Sequence, residues 1–127
     1  MFDALLWIYL VNATLLIAHE IDSAYWKEWE LFKLPGGAGS FVLLHIILVF
    51  IFLLGLVWVF QGNIAGLVLS LILGIAGVGA FTIHTWFIRK GHQEFKTPVS
   101  QLILIATLIA SFAQIVLTLM KIFGDFL

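Results

Sequence analysis

Phe41-Val42-Leu43-Leu44-His45-Ile46-Ile47-Leu48-Val49-Phe50-Ile51-Phe52-Leu53-Leu54-Gly55-Leu56-Val57-Trp58-Val59-Phe60 is followed by Gln61-Gly62-Asn63 and then by a second apolar run from Ile64. The quoted stretch contains no Asp, Glu, Lys or Arg. Its length matches the about 20 apolar residues that cross a hydrocarbon core about 30 Å thick. The three-residue turn after it is too short to do anything but fold the chain straight back. Two membrane-spanning helices lying side by side and antiparallel are therefore expected here.

Working outward, two more segments have the same character. The sequence predicts spans at about 4–26, 39–60, 64–88 and 98–121. Pro35-Gly36-Gly37 breaks the chain before the second, and Thr97-Pro98 supplies an N-cap and a first-turn proline for the fourth. The expected fold is all-α, a four-helix transmembrane bundle in up-down order, forming one domain over residues 1–127. Composition agrees: 63% of residues are hydrophobic and only 10% charged, against roughly 25% charged in a soluble domain. The net charge of −1 gives no nucleic-acid partner a surface to bind. With no cysteine, thiolate ligands and disulfides are excluded. The first segment has no Lys or Arg before it and no small-residue cleavage site, so it reads as a retained helix.

Loop charges predict orientation. Lys27, Lys33, Arg89, Lys90 and Lys96 fall in the first and third loops, and Lys121 alone at the opposite side. The positive-inside tendency then puts both charged loops in the cytoplasm and both termini outside. Trp26, Trp29 and Trp86 would lie at one interface, Trp7 and Trp58 near the other, as aromatic belts do. The lipid bilayer is the expected environment, in a cell membrane of bacterial inner-membrane type.

Against this apolar background the polar residues stand out. His19, His45 and His84 lie on three different helices, each about five to seven residues from the same membrane face, which is roughly 7–11 Å deep. Polar groups at that depth avoid lipid and face the bundle interior. Asp22 and Ser23 share the His19 face, whereas Glu20 is turned about 100° away from it. Three imidazoles and a carboxylate form a ligand set for zinc, iron or manganese. The expected metal ligands are therefore His19, Asp22, His45 and His84, with Glu20 as general base and Asp22 also able to orient a ligand. That set implies a divalent metal and a metal-dependent enzyme acting on a hydrophobic substrate. Alternatives are haem b held by two histidines, proton or cation handling, and a plain hydrogen-bond network in a partner-binding subunit. Glu28, Glu30, Lys27 and Lys33 read as a solvated loop, as do His92 and Glu94, although the latter two are close enough to cover the cluster.

Two further stripes mark helix faces. Ser100, Thr107, Ser111, Gln114, Thr118 and Lys121 recur at 7-4-3-4-3 spacing on the fourth span, which identifies its inward face. Gly66, Ser70 and Gly74 form a small-xxx-small series on the third, a face able to pack closely within the chain or to form a homo-oligomer. There is no His-Glu-x-x-His zinc motif, since Ser23 stands where the second histidine would be, and no phosphate-cradling glycine loop.

His19-Glu20-Ile21-Asp22 at the end of the first span, with Trp26-x-x-Trp29 behind it and further histidines on later spans, resembles the small bacterial membrane proteins of HXXEE type. Here Asp22-Ser23 stands where paired glutamates occur in that group. The resemblance implies a small prokaryotic four-helix membrane protein from a group without a settled activity.

Overall fold

A computed structural model describes residues 3–124. It contains five helices: α1 (Ala4–Tyr25), α2 (Glu28–Leu31), α3 (Gly37–Phe60), α4 (Ile64–Arg89) and α5 (Pro98–Gly124). No strand occurs among the described residues. The four long helices are each long and apolar enough to cross a membrane, and their bounds fall within three residues of those expected. The short α2, inside the first loop, was not expected.

Local chemistry explains where the helices begin. Asp3 accepts from the amides of Leu5 (3.1 Å) and Leu6 (3.3 Å) at the start of α1. Asn63 does the same for Ala65 (2.9 Å) at α4, and Thr97 for Ser100 (3.1 Å) just before Pro98 opens α5. At the far end of α5, the Lys121 ammonium donates to Asp3 at 3.1 Å.

The long helices form a ring in which α1 packs on α3 and α5, and α4 packs on the same two. Leu5, Tyr9, Ala13, Leu16, Val59 and Leu73 make the apolar core. Tyr9 donates to the carbonyl of Phe52 at 2.8 Å, and Gly55 leaves the space its ring occupies. Large apolar side chains such as Leu43, Phe50, Ile75 and Ile109 are exposed around the outside. Water would not tolerate so much exposed apolar surface, whereas lipid does.

The polar stripe of α5 faces inward as its spacing predicts. Asn12 donates to Gln114 (2.9 Å) and Ser111 (3.0 Å). Gln114 in turn donates to the Ser70 carbonyl (2.9 Å) and hydroxyl (3.0 Å), and Thr118 meets Ser70 at 2.8 Å. The amide groups of Asn12 and Gln114 thus tie α1, α4 and α5 together where no water is at hand, each contact being worth about 0.6–2 kcal/mol.

The Gly66/Ser70/Gly74 series packs closely within the chain. A Cβ on Gly66 would lie 2.5 Å from the Val59 amide nitrogen, and one on Gly74 would lie 2.6 Å from Ile115. Ser70, between them, belongs to the network just described. The small residues let α3 and α5 approach α4, so the face is buried by its own chain.

Candidate metal centre

His19 on α1 and His84 on α4 converge near the ends of their helices, with ring centroids 4.7 Å apart and each residue only 2% exposed. The third member of the group is Glu28. One side-chain ligand atom from each of His19, Glu28 and His84 lies within 4.8 Å of the others. The Glu28 carboxylate is 3.7 Å from His84 Nε2, and its side chain is 14% exposed.

Glu28 reaches this position through the unexpected helix. After α1 ends, Lys27 takes a left-handed φ of 51°, which reverses the chain, and α2 carries Glu28 back under the bundle. Lys33 (φ 55°) turns the chain again after α2. Burial pushes the Glu28 carboxyl above the usual carboxylate range. This corrects the reading of Glu28 as part of a solvated loop; Glu30, two residues on, does have a 66% exposed side chain.

The third loop contributes a lid. Phe95 is 1% exposed and holds a left-handed φ of 65°. Its ring lies 4.0 Å from that of His84 and 5.7 Å from that of His19. His92 and Glu94, read as part of a solvated loop, form a pair 3.6 Å apart at the loop surface, and it is Phe95 beside them that covers the histidines. Lys27, Lys33 and Phe95 are the non-glycine residues with positive φ among those described; they lie in the first and third loops, and Phe95 packs on both histidines. Such conformations cost of order 1–3 kcal/mol each and persist where the surroundings over-determine them, commonly at functional sites.

Several polar atoms here are buried without a hydrogen-bond partner among the described residues: Nδ1 of His19 and of His84, a carboxylate oxygen of Glu28, and one of Asp22. Buried polar atoms are nearly always satisfied, so each unpaired one calls for an explanation. Ser23 lies 3.5 Å from His19 Nε2, a long contact.

His45 and Glu20 are arranged differently. His45 bonds through Nδ1 to the Phe41 carbonyl at 2.7 Å, and its Nε2 contacts the Glu20 carboxylate. The structure therefore brings His19 and His84 together, pairs His45 with Glu20 instead, and adds Glu28. Asp22 lies one turn beyond His19 and stands outside the three-residue group. His19 and His84, with rings 4.7 Å apart under Phe95, lie closer together than two axial ligands on opposite faces of a haem.

Four membrane-length helices around a polar seam, with an imidazole–carboxylate group at one end, define a multi-pass membrane protein with a candidate metal site. Within that class, the chain belongs to a family of unknown function, DUF6713, whose model matches residues 5–121. A small family without an assigned activity is what the sequence led us to expect. Neither a curated protein nor a solved structure matches the chain.

Proposed function

We propose that His19, Glu28 and His84 hold a divalent metal ion at the cytoplasmic end of the bundle. The observation that carries this is the group itself: one ligand atom from each of two buried histidines and a half-buried glutamate within 4.8 Å of one another, on residues that also carry unpartnered imidazole and carboxylate atoms. Two imidazoles and one carboxylate suit zinc with an open position, or iron or manganese in a facial triad. Asp22, one helical turn from His19 with an unpaired oxygen, is suited to accept from a ligating imidazole and fix its ring. An open coordination position beside a carboxylate–imidazole pair supports metal-assisted hydrolysis or oxidation of a hydrophobic substrate, with Glu20, held by His45, as general base. The helices cross in up-down order with both termini on the non-cytoplasmic side, as the loop lysines and arginines favour.

Metal analysis of detergent-purified protein after repletion tests the proposal. About one equivalent of zinc, iron or manganese per chain is expected, and near none in His84→Ala. Equal metal content in the two proteins ends it.

A further inference from the structure

Two cavities meet at the end of the bundle that carries the histidines. One, of about 400 Å³, is lined by Glu20, Glu28, Trp29, Ser40, Phe41 and His45, together with apolar residues. The other, of about 520 Å³, is a groove between α1 and α3 walled by Ile17, Ile21, Ile46, Val49 and Leu53. Glu20, Phe41 and His45 line both, so a polar chamber opens sideways into an apolar groove. Ile21, Ile46 and Leu53 along that groove are exposed on the lipid-facing side of the bundle.

Among the described residues, carboxylates supply the only full charges of fixed sign on the chamber's polar wall. The Phe41 carbonyl can only accept, so the 2.7 Å contact puts a hydrogen on His45 Nδ1, and the close contact of Nε2 with the Glu20 carboxylate is satisfied by one proton between them. Glu20 and Glu28 bring two carboxylates. No Lys or Arg lines either cavity among the described residues. Trp29 and Phe41 add two aromatic rings 5.2 Å apart, surfaces that attract a cation. An anionic headgroup would face two carboxylates and one shared proton without a Lys or Arg to balance them, whereas an ammonium would find charge partners and aromatic faces together.

We propose that this compound cavity binds a single-chain amphiphile with an ammonium head, the head among Glu20, Glu28 and His45 and the hydrocarbon chain in the α1/α3 groove. It makes no use of a metal ion, although Glu28 also belongs to the proposed metal group and Glu20 and His45 to its proposed general-base pair.

The test is photolabelling in an uncharged alkyl-maltoside micelle, using a long-chain alkylamine with a diazirine in mid-chain and peptide mass spectrometry as readout. Labels are expected on Ile46, Val49 or Leu53. Excess unlabelled alkylamine should suppress them, and an alkyl phosphate of the same chain length should not. Glu20→Gln, which removes one charged partner of the head, should weaken competition by the amine about tenfold or more. Val49→Trp, which fills the groove, should abolish labelling there at an unchanged melting temperature. Equal suppression by the phosphate, unchanged competition in Glu20→Gln, or labels spread evenly over all lipid-facing helices would overturn the proposal. Labelling should survive chelator treatment. A protein that labels as expected but takes up no metal defeats the metal reading alone, and one that takes up metal but shows no selective labelling defeats this one alone.

Discussion

Glu28 and Glu30 are two residues apart on one short helix, yet they have opposite surroundings. Successive helical positions turn by about 100°, so residues two apart point to nearly opposite sides. Glu28 is thus aimed at His84, while Glu30 meets Lys27 at 4.0 Å in the open. Nothing in the local pattern distinguishes the two carboxylates: Lys-Glu-Trp-Glu has the look of a solvated loop. The only cue was apolar, since Trp26, Trp29 and Phe32 recur at three-residue spacing and give that loop a face to bury. His19 and His84 were legible because depth in a membrane can be counted along a helix at 1.5 Å per residue. Their burial under Phe95 was not, because it depends on a left-handed turn at a bulky residue that no propensity favours. The difference between the glutamates is measurable. Glu28→Gln exchanges a charged ligand for a neutral one and should weaken zinc affinity by at least about tenfold, while Glu30→Gln should leave it unchanged. Calorimetric titration of the two variants compares them directly, and an equal loss in both would show that bulk charge, not ligation, is being measured.

At the scale of the helices, the most readable feature was α5. Its polar residues recur at the helical period, and Ser100, Thr107, Ser111, Gln114 and Thr118 are all fully buried. The small-residue stripe of α4 was equally visible, but its partner was not. A small-xxx-small face says that some backbone comes close, and it carries no information about whether that backbone belongs to the same chain. The geometry separates glycines that look alike in the sequence. A methyl group on Gly66 would run into the backbone at Trp58 and Val59, which cannot rotate away, whereas one on Gly79 meets nothing within 4 Å. Gly66→Ala should therefore force α3 and α4 apart and destabilise the fold by about 1–3 kcal/mol. Gly79→Ala should be neutral or slightly stabilising, because alanine is the better helix former by about 1 kcal/mol. Unfolding in mixed micelles of maltoside and dodecyl sulfate ranks the two; similar midpoints would mean that the close contact at Gly66 contributes nothing to stability.

Across the whole molecule, the ends of the bundle are unlike. One end gathers both histidine-bearing sites, the strained turns and five of the six lysines and arginines, in the first and third loops. The other end has the tight Gln61-Gly62-Asn63 turn and, among the described residues, one ion pair, between Lys121 and Asp3. This asymmetry is chemical as well as topological: a metal ion drawn from the cytoplasm and an amphiphile drawn from the bilayer would reach neighbouring sites joined at Glu28 from two directions, through the loops and through the α1/α3 groove. That convergence requires the charged loops to face the cytoplasm. Because the chain has no cysteine, single thiols can report on it cleanly. Gln93→Cys sits in the exposed third loop and Gly62→Cys in the turn between α3 and α4. In intact bacterial cells, a membrane-impermeant maleimide should block Gly62→Cys and leave Gln93→Cys free until the cells are opened. The opposite pattern would invert the protein in the membrane, put the candidate metal centre outside the cytoplasm, and change which metals could reach it.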